Sequence, residues 1–528
     1  MKRSFVTLLG AVGATTLALT GCGATGDGDG GAASGDGGVT YALAADPGQL
    51  NPIKNATVAA QSLAAFGYES LVSFAAGAEP QGLLAEKWEE SATKVSFTLK
   101  EGVTCVDGSP LTASDVKASF DYAGLKETGS PFRGVYFPAT GLKIDADDAT
   151  RTVTFQSENA QSFLFATIGL MPVVCKAGSA DPGRLDKEWL GTGPYKLAES
   201  SPGQSYKLTL RPEYAWGAGG VTGKTEGLPS SVTVQVVENE STVANMLQSG
   251  EVDLGLVAGD DRQRLDSAGL QKIDVPARPG LVFFNQAKGR ATNDLAVRQA
   301  IAGAIDRDAV GKVTTGGRGT PMKSLTTSYS NVCKTTDITP ALTAFDKTAA
   351  AAKLDEAGWA KGANGTREKD GKELALILLY PANSDKSVVS GIELIQQQLA
   401  EIGVKATPTP SPSYTDVIFQ GGDWDLVWAP ISTTLPSTWQ GILSGDFPPK
   451  GGNWTYNTNK EFFDLAAKAQ SQAGEQSCEG WQAAQSSLVK DLELLPLYEA
   501  TETVYGNGVT FSLNSNTLVV PTSLRVSK

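Results

Sequence analysis

Two serines have the spacing to lysine that some serine acyl-transfer enzymes use. Ser91 and Ser114 each stand three residues before a lysine. Such a nucleophile works with further catalytic groups, and the sequence has no K-T-G motif and no histidine to supply them. The lack of histidine also excludes Ser-His and Cys-His nucleophiles and imidazole-bound metals. Because Thr112 and Asp115 resemble a capping box, we interpret Ser114 as part of a helix start, and we predict no catalytic residue, no metal site and no cofactor.

Cysteines are the other residues that could carry covalent chemistry. Apart from Cys22, the sequence contains Cys105, Cys175, Cys333 and Cys478, and it has no C-x-x-C motif. The spacing therefore gives no sign of a redox dithiol or of a zinc site. An even set of cysteines suits a protein of an oxidising compartment, and this set allows three disulfide pairings.

The N-terminus has the pattern of an export signal. A short basic start precedes an apolar stretch from Phe5 to Leu19. At ~1.5 Å per residue this stretch is too short to cross a hydrocarbon core of ~30 Å, but it suits a signal peptide. It ends in LTGC at 19–22, which resembles a bacterial lipobox. We predict a signal peptide at 1–21, lipidation of Cys22, and a protein anchored to the outer face of the cell membrane.

A glycine-rich segment at 22–38 follows the lipobox and lacks large apolar side chains. We predict a flexible tether there, which holds a folded body away from the membrane. No later run of about 18 apolar residues occurs, so the remaining chain is expected to be extracytoplasmic.

The composition indicates a globular and acidic body. The 528 residues are 41% hydrophobic, which is enough for several compact units. With 44 basic and 57 acidic side chains, the formal net charge is -13. A surface of this charge repels phosphate backbones, so nucleic acid is not an expected partner.

The clearest secondary-structure pattern lies in the second half of the chain. A continuous apolar run at 374–380 predicts a strand that is covered on both faces. Apolar residues at helical spacing predict a helix over 388–402, and another strand begins at Val404. A short helix at 414–419 and an apolar strand at 426–429 come next. This order predicts a right-handed βαβ unit in a wound α/β sheet.

The first half shows shorter elements. We predict a first strand at 39–43, a strand around 152–155 after an acidic turn, and a helix at 242–248 that stops at Gly250 before a strand at 252–256.

Six blocks in order give the chain a family likeness from about Tyr41 to Tyr505. With these blocks it resembles the family 5 extracellular solute-binding proteins, the peptide and oligopeptide receptors of ABC importers. The blocks are LLAEKW at 83–88, FTLKEGV at 97–103, DGSPLTASDV at 107–116, GTGPYKL at 191–197, VRQAIAGAIDR at 297–307 and LDEAGW at 354–359.

The resemblance implies a two-lobed α/β fold of the periplasmic-binding-protein type II, with an extra subdomain in lobe 1. Lobe 1 would comprise 39–283 plus 498–528, with the subdomain at about 75–190, and lobe 2 would comprise 284–497. We place the crossing segments near 281–285 and 497–503. Among the three disulfide pairings we favour those within one lobe, which are Cys105 with Cys175 and Cys333 with Cys478.

The resemblance also implies a function. We expect a monomeric substrate-binding lipoprotein that captures an oligopeptide-like solute in a hinge-closing cleft and delivers it to an ABC permease. A secreted hydrolase is the remote alternative, but it needs a nucleophile, a base and an oxyanion site without histidine. A cell-surface adhesin is a third reading, although wound α/β lobes suit ligand closure better than repeated β modules.

Ligand contacts are expected near the crossings and after the strand at 426–429, because open α/β sheets bind ligands beyond their strand ends. Each aromatic candidate could equally belong to the core, since such side chains bury large areas. The predicted ligand-binding residues are Phe66, Tyr68, Phe284, Asn285, Trp428, Thr434 and Trp439.

One departure from the family bears on the ligand. The resemblance implies an aspartate that pairs with a peptide's ammonium group at the position of Thr434, followed by Asp-Pro where Ser and Thr stand at 437–438. An unpaired ammonium in a closed cleft is unfavourable. A free peptide would therefore need another carboxylate, and an oligosaccharide or a blocked peptide is the alternative ligand. The candidate carboxylates are Asp423, Asp425 and Glu499.

Overall fold

The computed structural model describes residues 37–75, 79–277, 280–334 and 336–527. The predicted signal peptide, Cys22 and nearly all of the predicted tether lie outside these ranges. Within them, no helix has the length and apolar character needed to cross a membrane.

The first lobe is built around the strand Gly38–Leu43, which buries positions 39, 41 and 43. This strand pairs in parallel with Ser231–Val236 on one side and with Leu254–Val257 on the other. The strand Tyr498–Gly506 runs antiparallel to Leu254–Val257 and returns the chain to this sheet. In spatial order the strands are Gln271–Ala277, Tyr498–Gly506, Leu254–Val257, Gly38–Leu43, Ser231–Val236, Ser205–Leu210 and Tyr195–Ser201, with Thr320–Pro321 added against Tyr498–Gly506.

Three helices and a short strand pair complete the first lobe. The helix Glu240–Ser249 ends at Gly250, which has a positive φ of 77°, as the sequence predicts. The strand after it spans Leu254–Val257, slightly later than predicted. The other helices are Val58–Ala64 and Arg262–Ser267, and the strand pair is Val509–Thr510 with Arg525–Val526.

The subdomain is a four-stranded antiparallel sheet inserted into the first lobe's sequence. Its helix Ala113–Gly124 begins with the predicted capping box, in which Thr112 and Asp115 bond each other's backbone N–H groups. Ser114 bonds Asp148 at this helix start. In spatial order the strands are Ala85–Glu90, Lys94–Leu99, Thr152–Ser157 and Leu142–Asp147, and further elements are the helices Leu164–Gly169 and Lys176–Ala180 and the strand pair Val72–Phe74 with Pro80–Gly82.

The second lobe contains the predicted βαβ unit. Strands Ala375–Pro381 and Lys405–Ser411 are parallel, and the helix Lys386–Glu401 between them buries its apolar stripe. In spatial order the sheet has the strands Lys405–Ser411, Ala375–Pro381, Leu426–Ala429, Leu281–Phe284 and Leu494–Leu495. The helices are Leu295–Ala304, Arg307–Thr314, Lys347–Glu356, Lys386–Glu401, Tyr414–Phe419, Thr438–Leu443, Lys460–Gln470 and Cys478–Lys490, and a small sheet joins Ala360–Lys361, Arg367–Lys369 and Lys372–Glu373.

The chain crosses between the two large sheets twice. It leaves the first sheet after Ala277 and enters the second at Leu281, and it returns between Leu495 and Tyr498. The first crossing precedes the predicted segment at 281–285, because residues 281–284 form a fully buried strand inside the second sheet. The second crossing lies at the start of the predicted segment at 497–503, most of which is strand of the first lobe.

Alternate side chains of the second sheet enter two different cores. Leu281 and Phe283 join an apolar core that continues into the subdomain and the first lobe. Val282 and Phe284 join a separate core beneath the helices of the second lobe. This alternation follows from strand geometry, in which successive side chains point to opposite faces.

Two disulfide bonds crosslink the described part of the chain. One joins Cys105 to Cys175 and the other joins Cys333 to Cys478. This is the pairing favoured from the sequence. The second bridge fixes the start of the helix Cys478–Lys490 to the segment after Thr320–Pro321.

Candidate ligand-binding cleft

The strand directions define where a ligand-binding cleft can lie. The parallel strands of both sheets end at the edge where the chain crosses from one sheet to the other. Strands Leu281–Phe284 and Tyr498–Gly506 run antiparallel to their neighbours and therefore begin at that same edge. Ligands of open α/β sheets bind beyond the carboxyl ends of the strands, so the space beside the crossings is the candidate cleft.

A pocket rich in hydroxyl groups lies beside the returning crossing. It encloses about 730 Å³ and is bounded on one side by Glu499 of the strand Tyr498–Gly506. We call it the hydroxyl pocket because seven of its side chains carry hydroxyls: Thr320, Ser324, Thr326, Thr327, Ser328, Ser330 and Thr336.

Two hydrogen bonds join residues that line the hydroxyl pocket to backbone carbonyls of the loop after the strand Leu426–Ala429. The Thr327 N–H donates to the Thr433 carbonyl at 2.9 Å. The Ser330 hydroxyl donates to the carbonyl of Thr434 at 2.6 Å. Thr434 therefore contacts the wall of this pocket through its carbonyl but does not line the pocket itself.

Thr327 has the most informative side chain in the hydroxyl pocket. It is 7% exposed, and its Oγ1 has no hydrogen-bond partner among the described residues. A buried hydroxyl without a partner is unfavourable, so Thr327 would gain a hydrogen bond if a rearrangement of the pocket wall exposed this oxygen to a ligand. Close by, Glu499 Oε2 accepts the Ser328 N–H at 3.1 Å.

A second concavity, the apolar pocket, lies within the first lobe and the subdomain. It encloses about 320 Å³ beside the helix Val58–Ala64. Val58 of this helix lines the pocket and is 70% exposed. Tyr68 lines this pocket, with Phe132 and Tyr136 from the subdomain.

Glu69 also borders the apolar pocket but has a structural role. Its carboxylate accepts hydrogen bonds from Tyr214 at 2.7 Å, Trp216 at 2.8 Å and Thr192 at 3.0 Å. Burial raises the pKa of Glu69, and these donors partly offset that effect. The carboxylate thus organises the wall behind the pocket.

Most of the predicted ligand-binding aromatics are core residues in this structure. Phe66 packs edge-on against Tyr195 at 5.6 Å between ring centroids. Phe284 belongs to the core of the second lobe. The Trp428 indole fills the space that a side chain at Gly280 would need. These three are fully buried, since their large apolar areas are best removed from water.

Trp439 and Asn285 likewise serve the interior of the second lobe. The Trp439 Nε1 donates to the Leu325 carbonyl at 3.3 Å. The Asn285 amide donates to the Trp424 carbonyl at 2.8 Å. Among the predicted ligand-binding residues, only Tyr68 lines one of the two pockets described here. Thr434 is bonded to the wall of the hydroxyl pocket through its carbonyl, and the structure does not bring the set together.

Two of the three candidate carboxylates are engaged in the sheet of the second lobe. Asp423 and Asp425 both form ion pairs with Arg290, at 2.7 and 3.1 Å. Asp425 also accepts the Ile377 N–H at 2.8 Å. Glu499 is the candidate that borders a pocket.

Like charges face each other elsewhere along the lobe boundary. Burial raises the pKa of Glu502, and the negative charges of Glu240 and Asp385 raise it further, against the lowering effect of Arg262. Glu240 and Glu502 belong to the first lobe, whereas Asp385 begins the helix Lys386–Glu401 of the second. Bringing the lobes together therefore concentrates negative charge there.

The segment at 320–336 is the feature that the sequence reasoning missed. The run KSLTTSYS at 323–330 carries five hydroxyl side chains besides its tyrosine, which is an unusual density. It has no helical or strand periodicity, so its place beside the crossing strand follows only from the structure.

Comparison with known proteins agrees with this architecture. The model of the bacterial extracellular solute-binding proteins, family 5, matches residues 79–453. An ABC transporter peptide-binding protein of Brucella ovis is 28% identical over 390 residues, which cover 70% of this chain and 69% of that protein.

Solved structures share the fold over most of the chain. A substrate-binding protein from Microbacterium hydrocarbonoxydans, complexed with 4-hydroxybenzoate hydrazide, has a TM-score of 0.71 and 26% identity, covering 93% of this chain and 100% of that one. The oligopeptide-binding protein AppA of Bacillus subtilis, in complex with a nonapeptide, has a TM-score of 0.70 and 20% identity, covering 93% and 99%. The chain therefore belongs to the family 5 bacterial extracellular solute-binding proteins, which are substrate-binding components of ABC transporters and not enzymes.

Proposed function

We propose that this protein captures an oligopeptide-like solute between its two lobes and delivers it to the permease of an ABC importer. The lobes comprise 39–283 plus 498–528 and 284–497, with the subdomain at about 75–190. The relatives support a peptide-like ligand, since one is named as a peptide-binding protein and another holds a nonapeptide. The protein acts as a monomer that closes on its ligand.

The observation that carries this proposal is the unpartnered hydroxyl of Thr327 in the pocket beside the crossing strand. Serine and threonine hydroxyls both donate and accept hydrogen bonds, so they can satisfy the N–H and C=O groups of an extended peptide without a buried charge. Glu499 borders the same pocket, where a carboxylate can pair with the ligand's ammonium group.

The apolar pocket supplies a complementary surface. Tyr68, Phe132 and Tyr136 offer ring faces and edges for an apolar side chain of the ligand. A solute that contacts both lobes stabilises the closed arrangement by the difference in its affinity for the two states. A shift from 1:99 to 99:1 requires about 5.5 kcal/mol of that difference.

An oligosaccharide is the second candidate, because seven hydroxyl side chains line one pocket. Sugar rings usually stack on aromatic faces. Among the described residues, no aromatic side chain lines the hydroxyl pocket. A peptide-like ligand therefore fits the pocket better.

The test is a thermal unfolding screen with trialanine, N-acetyl-trialanine and maltotriose, after unfolding and refolding have removed any retained solute. We expect trialanine to stabilise the protein by about 2.7 kcal/mol at a hundredfold excess over Kd. Thr327→Val should weaken trialanine binding about five- to tenfold, the effect of one buried hydrogen bond.

Thr455→Val is the matched control, because Thr455 has a buried, unpartnered hydroxyl among the described residues but does not line the pocket. It should leave binding unchanged. Glu499→Gln should weaken binding of trialanine more than of its acetylated form. Stabilisation by maltotriose alone would favour the oligosaccharide, and no shift with any of the three would contradict the proposal.

Membrane anchoring through Cys22 is part of the same proposal. It is supported by the LTGC motif after an apolar stretch. Cys22→Ser should abolish incorporation of labelled fatty acid and move the protein from the membrane fraction to the soluble fraction. Equal labelling of both forms would exclude this anchor.

A further inference from the structure

A loop of the subdomain reaches across to the second lobe and is buried there. The Ser162 hydroxyl donates to the Ala469 carbonyl at 2.8 Å and accepts the Trp481 Nε1–H at 2.9 Å. The Gly474 N–H donates to the Ser162 carbonyl at 2.6 Å. Ser162 is 1% exposed and Trp481 is fully buried. One serine therefore joins both helices Lys460–Gln470 and Cys478–Lys490 to the subdomain.

Apolar packing reinforces this contact. The rings of Phe163 and Trp481 lie 6.4 Å apart between centroids, and both belong to the core that runs from the first lobe into the second. At the edge, Gln470 donates to Gln161 at 2.8 Å. The contact is thus dry at its centre and polar at its rim.

The contact has an open side. A groove of about 700 Å³ lies beside it, lined by Glu90 and Phe165 of the subdomain and by Gly474 and Glu475 of the second lobe. The two bodies therefore meet around Ser162 and separate again beside it.

Buried polar attachments also join the subdomain to the first lobe. Arg211, which follows the first-lobe strand Ser205–Leu210, is fully buried and donates to the carbonyls of Thr104 and Cys105 in the subdomain at 3.2 and 3.0 Å. Lys100 donates to the Trp216 carbonyl at 2.9 Å. When the lobes part, the subdomain is held to the first lobe, and its described contacts with the second lobe must open. These include the buried contact at Ser162 and the ion pair of Lys334 with Glu79 at 4.0 Å.

We propose that Ser162 and Trp481 form a latch that holds the subdomain against the second lobe and must release before the lobes part. They are positioning residues, which set the ratio of closed to open receptor without contacting the solute. The inference rests on the proposed hinge closure but not on the identity of the ligand. Loss of the latch hydrogen bond should lower the closed-to-open ratio about tenfold.

The test measures hydrogen exchange and X-ray scattering of the ligand-free protein. In Ser162→Ala and Trp481→Phe, the segment that contains Gly474 should exchange about tenfold faster, since its amide is protected by the latch. The scattering curve should show a larger maximum dimension. The double variant should change exchange little beyond Ser162→Ala, because that substitution already removes the bond that Trp481→Phe removes.

Two controls separate a latch from a simple loss of stability. Trp439→Phe removes another buried indole N–H, which bonds Leu325 inside the second lobe. Ser119→Ala removes a buried hydroxyl that accepts the Val174 N–H inside the subdomain. Both controls should lower the unfolding temperature and leave the Gly474 segment and the scattering curve unchanged.

Three results would overturn the latch: unchanged exchange in both latch variants, equal acceleration in the controls, or faster exchange without any increase in dimension. Each readout is obtained without ligand. A solute screen that fails therefore rejects the proposed ligand class, whereas these results reject the latch.

Discussion

The subdomain is joined to the rest of the molecule by two junctions of opposite character. Toward the first lobe, the Arg211 guanidinium donates to four backbone carbonyls and lies 5.4 Å from the centre of the Trp216 ring. Toward the second lobe, the neutral hydroxyl of Ser162 joins two helices. The junction with the first lobe buries a positive charge. The junction with the second lobe buries a neutral hydroxyl, whose hydrogen bonds can be replaced by bonds to water.

This difference indicates which junction can open. Separation at Arg211 removes the carbonyls of Thr104 and Cys105 from a fully buried guanidinium, and Glu213 is its remaining charged partner at 3.0 Å. Exposing or underbonding a buried charge is unfavourable. A serine hydroxyl and an indole N–H exchange their bonds for water at a net cost of about 1 kcal/mol each. The same subdomain can therefore stay fixed to one lobe and release the other.

The largest expected effect on stability comes from removing the charge of Arg211 at the junction with the first lobe. Arg211→Met keeps much of the side-chain volume but leaves the carbonyls of Thr104, Cys105, Thr192 and Gly193 without their donor. We expect a loss of about 3 to 5 kcal/mol in the free energy of unfolding, measured in urea.

Arg184→Met is the control for that substitution. Arg184 pairs with Glu188 at 2.6 Å on the surface, where its side chain is 42% exposed. An exposed pair contributes at most about 1 kcal/mol. If both substitutions cost the same, Arg211 does not hold the subdomain and the two junctions are alike.

A smaller, pH-dependent effect on stability is expected from Glu502 at the boundary between the lobes. Burial and the charges of Glu240 and Asp385 raise the pKa of Glu502 above the ordinary value of 4.5. The folded state then binds the proton more tightly than the unfolded state. Proton binding by Glu502 therefore stabilises the folded state fully below pH 4.5, and this stabilisation is lost as the pH rises through the pKa of Glu502 in the folded state.

Glu502→Gln removes this pH dependence. The variant should gain up to about 1 kcal/mol relative to the parent protein at pH 8 and nothing at pH 4, as measured by urea unfolding at both pH values. Glu238→Gln, at an exposed site, should change little at either pH. A gain in Glu502→Gln that is equal at pH 4 and pH 8 would show that charge repulsion is not its cause.

Local elements could be predicted well where the pattern was strong. The helix at 414–419 and the strand at 426–429 have the predicted bounds, and the capping box at Thr112 forms as expected. These features depend on neighbours in the chain, such as apolar spacing and a cap three residues away. Family resemblance supplied the two-lobed architecture that such local patterns cannot give.

The ligand contacts were harder to predict. Phe66, Phe284, Trp428 and Trp439 are aromatic and lie near the right elements, yet all four are buried core residues. An aromatic side chain has the same chemistry in a core and in a cleft, so residue type alone does not separate the two environments. Thr327 has no conspicuous sequence signal, and its proposed role is inferred from a buried hydroxyl without a partner among the described residues.

The export-signal pattern, the lack of histidine chemistry, the α/β elements and the family likeness can all be read from the sequence, because they depend on residue identity and short-range order. Which hydroxyl side chains line one pocket, and which lobe the loop at Ser162 contacts, become known only from the folded chain. Ser162 and Trp481 are 319 positions apart in the chain. Contacts at that separation are set by how whole sheets and helices pack, and no local pattern encodes them.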